Sequence, residues 1–439
     1  MSHLSFQYAH RFMEFLQDSP SVFHVIESQS RRLLAAGYEK LSEGENWSLT
    51  PGGKYFVTRN SSAILAFRLP QGAPEGFMVA ASHSDSPVLK VKAGPDISGN
   101  GYRQLNVEVY GGALLAPWFD RPLWAAGRVF VRRGDTLEQR LVALPDLAMI
   151  PSLAIHMDRE ANKGKEIKPQ KDLLPLYGMA GDDDLLTLLS RAAGVEREDV
   201  CAHDIYLCNH QAPTLWGAAR EFLSAPRLDD LECAFASLTG FLESEGDTRP
   251  GVIPVHVVFD NEEVGSSTRQ GAAAGFLRDT LTRVGEALGL SRGELLRLLA
   301  QSFLLSADNA HAAHPNYTEK ADPVNRPKLG QGVVLKFSGN QKYTTDAASA
   351  AVTLALAGKA GVTLQTFTNH ADLPGGSTLG NLSVRQLGVK TADIGLAQLA
   401  MHSPYETGGA KDLDDLVALT RALFSSRLRE EADGSLRLM

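Results

Sequence analysis

The stretch VIPVHVVFDNEE, residues 252–263, contains an apolar, β-branched run that ends abruptly in polar side chains. Such a run predicts a strand buried on both faces of a sheet, because a half-exposed strand would alternate apolar and polar residues. His256 lies inside the run and is predicted to be a core residue. Helical patterns at 346–357 and 411–425 alternate with further short apolar runs, so we predict an α/β fold with helices on both faces of the sheet.

Other apolar runs also end at polar residues that suit catalysis. Residues 77–81 precede His83 and Asp85, 303–305 precede Asp308, and 394–400 precede His402. In open α/β sheets the carboxyl ends of the strands form the binding crevice. We therefore expect these side chains to converge with Glu262 and Glu263. The intervening stretch 281–305 has a largely helical pattern.

The middle of the chain has a different pattern. Residues 105–109 alternate apolar and polar side chains until Gly111-Gly112 interrupts them, which is typical of antiparallel β structure. The charged stretch 157–172 is too polar for a core and predicts a long loop. We predict two catalytic parts at 1–93 and 216–439, separated by an inserted β-rich domain at 94–215.

The candidate residues form a donor set for a metal ion. Two histidines with three or four carboxylates, and no usable cysteine, suit a hard or borderline dication such as Zn²⁺ or Mn²⁺. This donor set predicts a metal hydrolase. One of Glu262 and Glu263 would be a metal ligand, and the other would accept a proton from the attacking water. Asp229 is either part of this set or the cap of the helix that follows it. The chain lacks GxSxG, GxxxxGK[ST] and HExxH motifs, and no GxGxxG follows a strand.

The composition argues against several other classes of protein. The 439 residues include 43 Lys+Arg and 51 Asp+Glu, for a net charge of −8, so we expect no nucleic-acid partner. No apolar run is long enough for a membrane span, and the first residues lack the zones of a signal peptide. The 3 cysteines form no CxxC pair. We expect a cytoplasmic enzyme without a membrane partner.

Five motifs occur together in a characteristic order. They are HSDSP (83–87), PRLD (226–229), FDNEEVGS (259–266), SAD (306–308) with AHPNY (313–317), and AMHS (400–403). Together they resemble the aspartyl aminopeptidase family of dinuclear zinc exopeptidases. The similarity extends over nearly the whole chain and includes IPSLAIH at 150–156. It implies a mixed-sheet, zinc-exopeptidase-like catalytic domain and an inserted, mainly antiparallel β domain for oligomerisation.

The resemblance also implies a role for each candidate residue. Asp229 bridges two Zn²⁺ ions per subunit, for which Mn²⁺ or Co²⁺ can substitute. His83 and Asp308 ligate one ion, Glu263 and His402 ligate the other, Glu262 is the general base, and Asp85 orients His83. His156 enters the active site of a neighbouring subunit, and the substrate pocket is lined by Lys336, Tyr343 and His311.

The implied activity is removal of N-terminal Asp or Glu from peptides by a homododecamer. Lys336 follows the apolar run 333–335 and should project, partly buried, from a strand end toward the crevice. Two alternatives stay open at this point. One is a dinuclear metallo-aminopeptidase that prefers apolar N-terminal residues, and the other is a self-assembling scaffold or cargo protein with incidental catalysis.

Overall fold

A computed structural model describes residues 6–439 of the chain. Its helices are α1 (Gln7–Gln17), α2 (Val22–Ala35), α3 (Pro169–Asp172), α4 (Leu185–Ala193), α5 (Leu228–Glu243), α6 (Phe276–Ala287), α7 (Arg292–Ala300), α8 (Ala347–Ala360), α9 (Gly380–Leu387) and α10 (Asp412–Phe424). Its strands are β1 (Glu39–Leu41), β2 (Lys54–Arg59), β3 (Ala63–Arg68), β4 (Gly76–His83), β5 (Val88–Gly99), β6 (Tyr102–Tyr110), β7 (Leu123–Arg133), β8 (Thr136–Ala148), β9 (Leu176–Met179), β10 (Val200–Asn209), β11 (Thr214–Trp216), β12 (Phe222–Ala225), β13 (Val252–Phe259), β14 (Phe303–Ala307), β15 (Ala310–His311), β16 (Val333–Phe337), β17 (Leu364–Thr368), β18 (Lys390–Gly395), β19 (Ala397–Leu399), β20 (Glu406–Gly409), β21 (Leu428–Glu430) and β22 (Leu436–Leu438).

The largest sheet is mixed and contains the strand predicted from residues 252–259. Its order is β1-β2-β3-β13-β4-β14-β18-β16-β17. Strands β13, β4, β14 and β18 run parallel in its centre, whereas β3 and β16 are antiparallel to their neighbours β13 and β18. Every residue of β13 is buried. His256 is a core residue, as predicted, and its Nε2 lies 3.1 Å from Gln29 Oε1.

Helices cover both faces of this sheet. Apolar residues of α1, α2, α5, α8 and α10 pack with Met78, Ala80 and Leu305 on one face. On the other face, residues of α6, α7 and α9 pack with Val79 and Leu304. Neighbouring strand residues thus enter different cores, which confirms the α/β fold with helices on both faces and explains the unbroken apolar runs.

A second sheet takes its strands from the middle of the chain. Its order is β8-β7-β10-β5-β6-β9, all neighbouring pairs are antiparallel, and it has an apolar core of its own. The strands extend from Val88 to Asn209. The division of the chain at residues 94 and 215 stays a prediction, and β5 crosses the first of these positions.

A third, five-stranded sheet has the order β11-β12-β20-β19-β15. Its strands flank three of the candidate residues, because β12 precedes Asp229, β15 follows Asp308, and β19 and β20 lie on either side of His402. Separate parts of the chain are therefore tied together beside the carboxyl edge of the large sheet. No helix among residues 6–439 combines the length and apolar character needed to cross a membrane.

The stretch 281–305 is largely helical, as predicted, but its last residues differ. It contains the end of α6, all of α7 and then the first residues of β14. Leu288–Ser291 separates the two helices, and Ser291 caps α7 by accepting a hydrogen bond from the backbone N–H of Glu294. Strand β14 is buried along its whole length, and a short buried strand has the same apolar composition as the end of a buried helix.

Candidate metal centre

The candidate residues follow neighbouring strands of the large sheet. His83 ends β4, Glu262 and Glu263 begin a 3-10 turn after β13, and Asp308 follows β14. Asp229 lies in the first turn of α5, and His402 lies between β19 and β20. The predicted convergence at the carboxyl edge therefore occurs, because β4, β13 and β14 are parallel neighbours.

Four side chains form one group with the spacing of a metal site. They are His83, Asp229, Asp230 and Asp308, all buried. His83 Nε2 lies 3.5 Å from Asp229 Oδ1 and 3.9 Å from Asp308 Oδ1. Imidazole nitrogen and carboxylate oxygen are the donors that zinc and other borderline dications accept.

A second group consists of Asp229, Glu263 and His402. His402 Nε2 is 3.5 Å from Asp229 Oδ2 and 3.5 Å from Glu263 Oε2. Asp229 thus belongs to both groups and presents one carboxylate oxygen to each histidine. Its backbone is held on both sides, since Ser86 Oγ donates to its carbonyl at 2.7 Å and its N–H donates to Glu406 Oε2 at 3.0 Å.

The electrostatics of the two groups favour bound cations. Asp229 Oδ1, Asp230 Oδ1 and Glu263 Oε1 are buried and have no hydrogen-bond partner among the residues that the structure describes. Burial, and then the charge of Asp229, raises the pKa of Glu263 well above its ordinary value. Such buried carboxylates are costly unless they are paired or bind metal, so these residues fit a metal centre.

Both histidines are oriented by hydrogen bonds to backbone carbonyls. His83 Nδ1 lies 3.0 Å from the carbonyl oxygen of Asp85, and His402 Nδ1 lies 3.0 Å from that of Gly112. A carbonyl oxygen can only accept, so each Nδ1 donates. Each Nε2 is then left with a lone pair that faces the carboxylates, as a metal ligand requires.

Asp85 makes different contacts from those expected. Its carbonyl, rather than its carboxylate, accepts the hydrogen bond of His83, and the carboxylate Oδ1 is 3.4 Å from His83 Nδ1. The carboxylate instead accepts the backbone N–H groups of Glu262 at 3.0 Å and Glu263 at 3.1 Å. Asp85 therefore holds the turn that presents the two glutamates as well as the ring of His83.

Glu262 belongs to neither ligand group within residues 6–439. Burial raises the pKa of its carboxyl to about 8, with the negative charge of Asp308 as the next contribution. The two adjacent glutamates thus differ in position, since Glu263 faces His402 and Glu262 lies in the field of Asp308 and His83.

The predicted pocket residues lie together beside Asp308, but Lys336 is buried more deeply than predicted. Lys336 lies within β16 and is only 1 % exposed, because Tyr343 covers it with its ring centre 5.3 Å from Nζ. The ammonium donates to the carbonyl of Asn309 at 2.8 Å. Phe367 links Tyr343 to His311, with ring centres 6.1 Å and 6.2 Å away.

His156 lies on an exposed loop between β8 and β9 of the second sheet, far in the sequence from the residues of both ligand groups. The side chains of Leu153, Ile155 and Met157 around it are 53 %, 47 % and 74 % exposed. Asp120 holds the start of the loop by accepting hydrogen bonds from the N–H and hydroxyl of Ser152, at 2.8 Å and 2.6 Å.

Two further residues of the site, Asp230 and Glu406, were not predicted from the sequence. Asp230 is fully buried, and its Oδ2 accepts the backbone N–H of His83 at 3.0 Å. Glu406 accepts the backbone N–H groups of Asp229 and His402, the latter at 2.7 Å. Asp230 is visible in the sequence as the second of two adjacent aspartates, whereas Glu406 has no local signal beyond its position shortly after His402.

A mixed α/β sheet with two histidine-carboxylate groups at its carboxyl edge defines a metal-dependent hydrolase. The family described as aminopeptidase I zinc metalloprotease (M18) matches residues 15–424. The chain therefore belongs to the peptidase M18 family and is a metallo-aminopeptidase.

Similarity to individual relatives extends over nearly the full chain. A probable M18 family aminopeptidase 2 from Clostridium acetobutylicum is 40 % identical over 417 residues, covering 92 % of this chain and 96 % of the relative. A chain of the Ape4 and Nbr1 complex has a TM-score of 0.93 at 33 % identity, covering 97 % of this chain and 87 % of that one. The mApe1 dodecamer of S. cerevisiae has a TM-score of 0.84 at 28 % identity, covering 95 % and 96 %.

Proposed function

We propose that the protein uses a dinuclear zinc centre to remove N-terminal Asp and Glu residues from peptides. The two-sided position of Asp229 supports a pair of ions, because its oxygens Oδ1 and Oδ2 face His83 and His402 respectively. One ion would be held by His83, Asp308 and Asp229, and the other by His402, Glu263 and Asp229. Two-metal sites occur in aminopeptidases as well as in phosphatases and nucleases.

The reaction would be hydrolysis of the first peptide bond. Bound zinc would polarise the scissile carbonyl and lower the pKa of a bound water molecule toward about 7. Glu262 would accept the proton of the attacking water and then donate it to the leaving amine. The hydrogen bond from the Glu262 N–H to Asp85 Oδ1 fixes the start of the turn that presents this side chain.

The acidic specificity rests on Lys336. A net charge of −8 would repel an acidic peptide at long range, so the preference requires a cation at short range. An ammonium has three donors, and within residues 6–439 that of Lys336 donates one hydrogen bond, to Asn309. Because the ring of Tyr343 covers the ammonium, a substrate carboxylate could accept its remaining N–H groups only after that ring moves aside.

Metal analysis combined with substrate profiling tests this function. We expect about two zinc ions per chain, and faster hydrolysis of Asp and Glu chromogenic substrates than of the Leu substrate. Two ions with a preference for Leu would support an apolar-selective aminopeptidase instead. Absence of both metal and turnover would support a scaffold protein.

Lys336→Met should selectively weaken the hydrolysis of acidic substrates. Hydrogen bonds to charged groups contribute about 1.5–3 kcal/mol, which corresponds to a loss of roughly 10- to 150-fold in kcat/KM for the Asp substrate. Hydrolysis of the Leu or Ala substrate should change little or rise. The measurement is kcat/KM for each substrate at equal zinc content.

Lys342→Met is a matched control for this variant. Lys342 donates to the carbonyls of Pro374 and Gly375 at 2.6 Å and 2.9 Å, so its removal should leave the ratio of Asp to Leu hydrolysis unchanged. An equal loss for acidic and apolar substrates in Lys336→Met would rule out Lys336 as the selectivity residue. His311 and Tyr343 would then be the next candidates for the residue that selects acidic substrates.

We also propose that the protein is a homododecamer in which His156 enters the active site of the partner subunit. The apolar side chains exposed around His156 suit a subunit contact, because contiguous exposed apolar residues mark interfaces. The mApe1 relative is a dodecamer. At the neighbouring centre His156 would donate to the developing oxyanion, an interaction worth about 2.7–4 kcal/mol in other enzymes.

Mixing two inactive variants tests this shared site. His156→Ala chains and Glu262→Gln chains should each be almost inactive, and co-assembly should restore part of the activity, because some centres then combine an intact Glu262 with an intact His156. The measurement is turnover of the mixed oligomer after its size has been verified by sedimentation. The control is co-assembly of His156→Ala chains with chains that carry both His156→Ala and Glu262→Gln. This mixture should restore no activity, because it contains no intact His156. An active monomer would contradict the proposal.

A further inference from the structure

The proposed function assigns no role to the Gly111-Gly112 pair, which interrupts the alternating β pattern. It follows Tyr110, the last residue of β6 in the second sheet. The chain here does not turn away from the catalytic sheet. The segment Tyr110–Leu114 instead contacts Glu263 and His402 of the second ligand group, and Asp85, which holds the turn of the two glutamates.

Tyr110 contacts the loop that presents the glutamates. Its hydroxyl donates to Asp85 Oδ2 at 2.7 Å and accepts from Asn261 Nδ2 at 2.8 Å. Asp85 in turn accepts the backbone N–H groups of Glu262 and Glu263. The Tyr110 hydroxyl thus joins Asp85, which follows β4, to Asn261, which follows β13.

The residues after Tyr110 contact His402 and Glu263. The carbonyl of Gly112 accepts the hydrogen bond of His402 Nδ1 at 3.0 Å, and the N–H of Leu114 donates to the His402 carbonyl at 3.0 Å. Gly111 has φ +75°, and a Cβ at this position would lie 3.1 Å from Glu263 Cβ. Both the left-handed backbone and the close approach to Glu263 favour glycine at this position.

We infer that the segment Tyr110–Leu114 of the second sheet is a positioning element of the metal centre in its own subunit. It fixes the tautomer and direction of the His402 ring, limits the position of Glu263, and holds the carboxylate of Asp85. The inference rests on the proposed dinuclear centre. It means that the inserted sheet shapes the chemistry of its own subunit, in addition to any role in assembly.

Gly111→Ala tests the inference, with Gly101→Ala as its control. Gly101 lies in the turn before the same strand with φ +85°, and no atom lies within 4 Å of the position of its Cβ. Both substitutions therefore impose a left-handed backbone on a non-glycine residue, but only the methyl group introduced by Gly111→Ala would press on a candidate ligand. The readouts are zinc affinity by competition with a chromophoric chelator and the visible spectrum of the Co²⁺-loaded protein.

We expect zinc affinity to fall by about 10- to 100-fold in Gly111→Ala, as is typical when a group that orients a metal ligand is disturbed. The Co²⁺ spectrum should shift, and Gly101→Ala should match the wild type in both respects. Equal zinc affinity and equal spectra in the two alanine variants would overturn the inference. If the wild type itself binds no zinc, the proposed dinuclear function fails instead.

Tyr110→Phe provides a second test that preserves the packing volume. It removes the hydroxyl that bonds to Asp85, so kcat should fall more than KM changes, and zinc affinity should weaken less than in Gly111→Ala. Tyr102→Phe, at the exposed start of the same strand, is the control and should behave as the wild type. A Tyr110→Phe protein with wild-type kcat and zinc affinity would remove Tyr110 from the positioning element, even if Gly111→Ala fails to fold.

Discussion

Glu262→Gln should reduce turnover by about 10²–10⁴-fold, the usual contribution of a general base, while zinc binding stays at the wild-type level. The amide keeps the volume of the side chain but cannot accept a proton from water. Zinc should be retained because Glu262 lies outside both groups of candidate ligands in residues 6–439. The measurements are kcat and the zinc content of the same purified sample.

Glu263→Gln is the matched comparison, since it makes the same chemical change at the adjacent residue. Glu263 Oε2 faces His402 Nε2 at 3.5 Å, so its loss should lower zinc content as well as turnover. Added zinc should restore some activity to Glu263→Gln and none to Glu262→Gln. The reverse pattern would show that the base and the ligand have been exchanged.

The central part of the fold was predictable from local sequence. The run at 252–259 is apolar at every position except His256, and a strand that is covered on both faces buries such a run completely. The polar residues after the runs then identified the carboxyl edge as the site. The change from helix to strand before residue 303 was less predictable, because local composition does not separate a short buried strand such as β14 from the end of a helix.

The pairing of the candidate ligands required the resemblance to a family. Sequence separation gives no distance, so local patterns could not show that Asp229 lies between His83 and His402. The same limit applies to Asp230 and Glu406, whose contacts with the site join distant parts of the chain. Lys336 was identified by its position in the run, but its burial depends on Tyr343, which belongs to a separate element.

Contacts between sheets were the least predictable feature. Gly111-Gly112 is visible in the sequence only as an interruption of β alternation, which usually marks a turn. Its contacts with His402 and Glu263 depend on how the second sheet packs beside the large one. Backbone carbonyls such as that of Gly112 also carry no residue-specific signal, although they orient the imidazoles.

Asp229→Asn should have the largest effect on metal binding of any single substitution in the site. Its carboxylate oxygens Oδ1 and Oδ2 face His83 and His402, so one side chain would contribute to both ions. An asparagine supplies one neutral oxygen in place of a charged bridge. We expect zinc affinity to fall by more than about 100-fold at both sites, beyond the 10- to 100-fold typical of a residue that only orients a ligand.

Two comparisons make this expectation specific to the bridge. Asp85→Asn disturbs groups that position the ligands, so its loss of zinc affinity should stay within about 10- to 100-fold. Asp412→Asn is the control for loss of a buried carboxyl group, because Asp412 accepts the backbone N–H groups of Gly330 and Gly332 at 2.7 Å and 2.9 Å. It should destabilise the fold without changing zinc affinity. Equal loss of zinc in Asp229→Asn and Asp85→Asn would remove the reason for assigning the bridge to Asp229, since a shared ligand must affect both ions and an orienting residue need not.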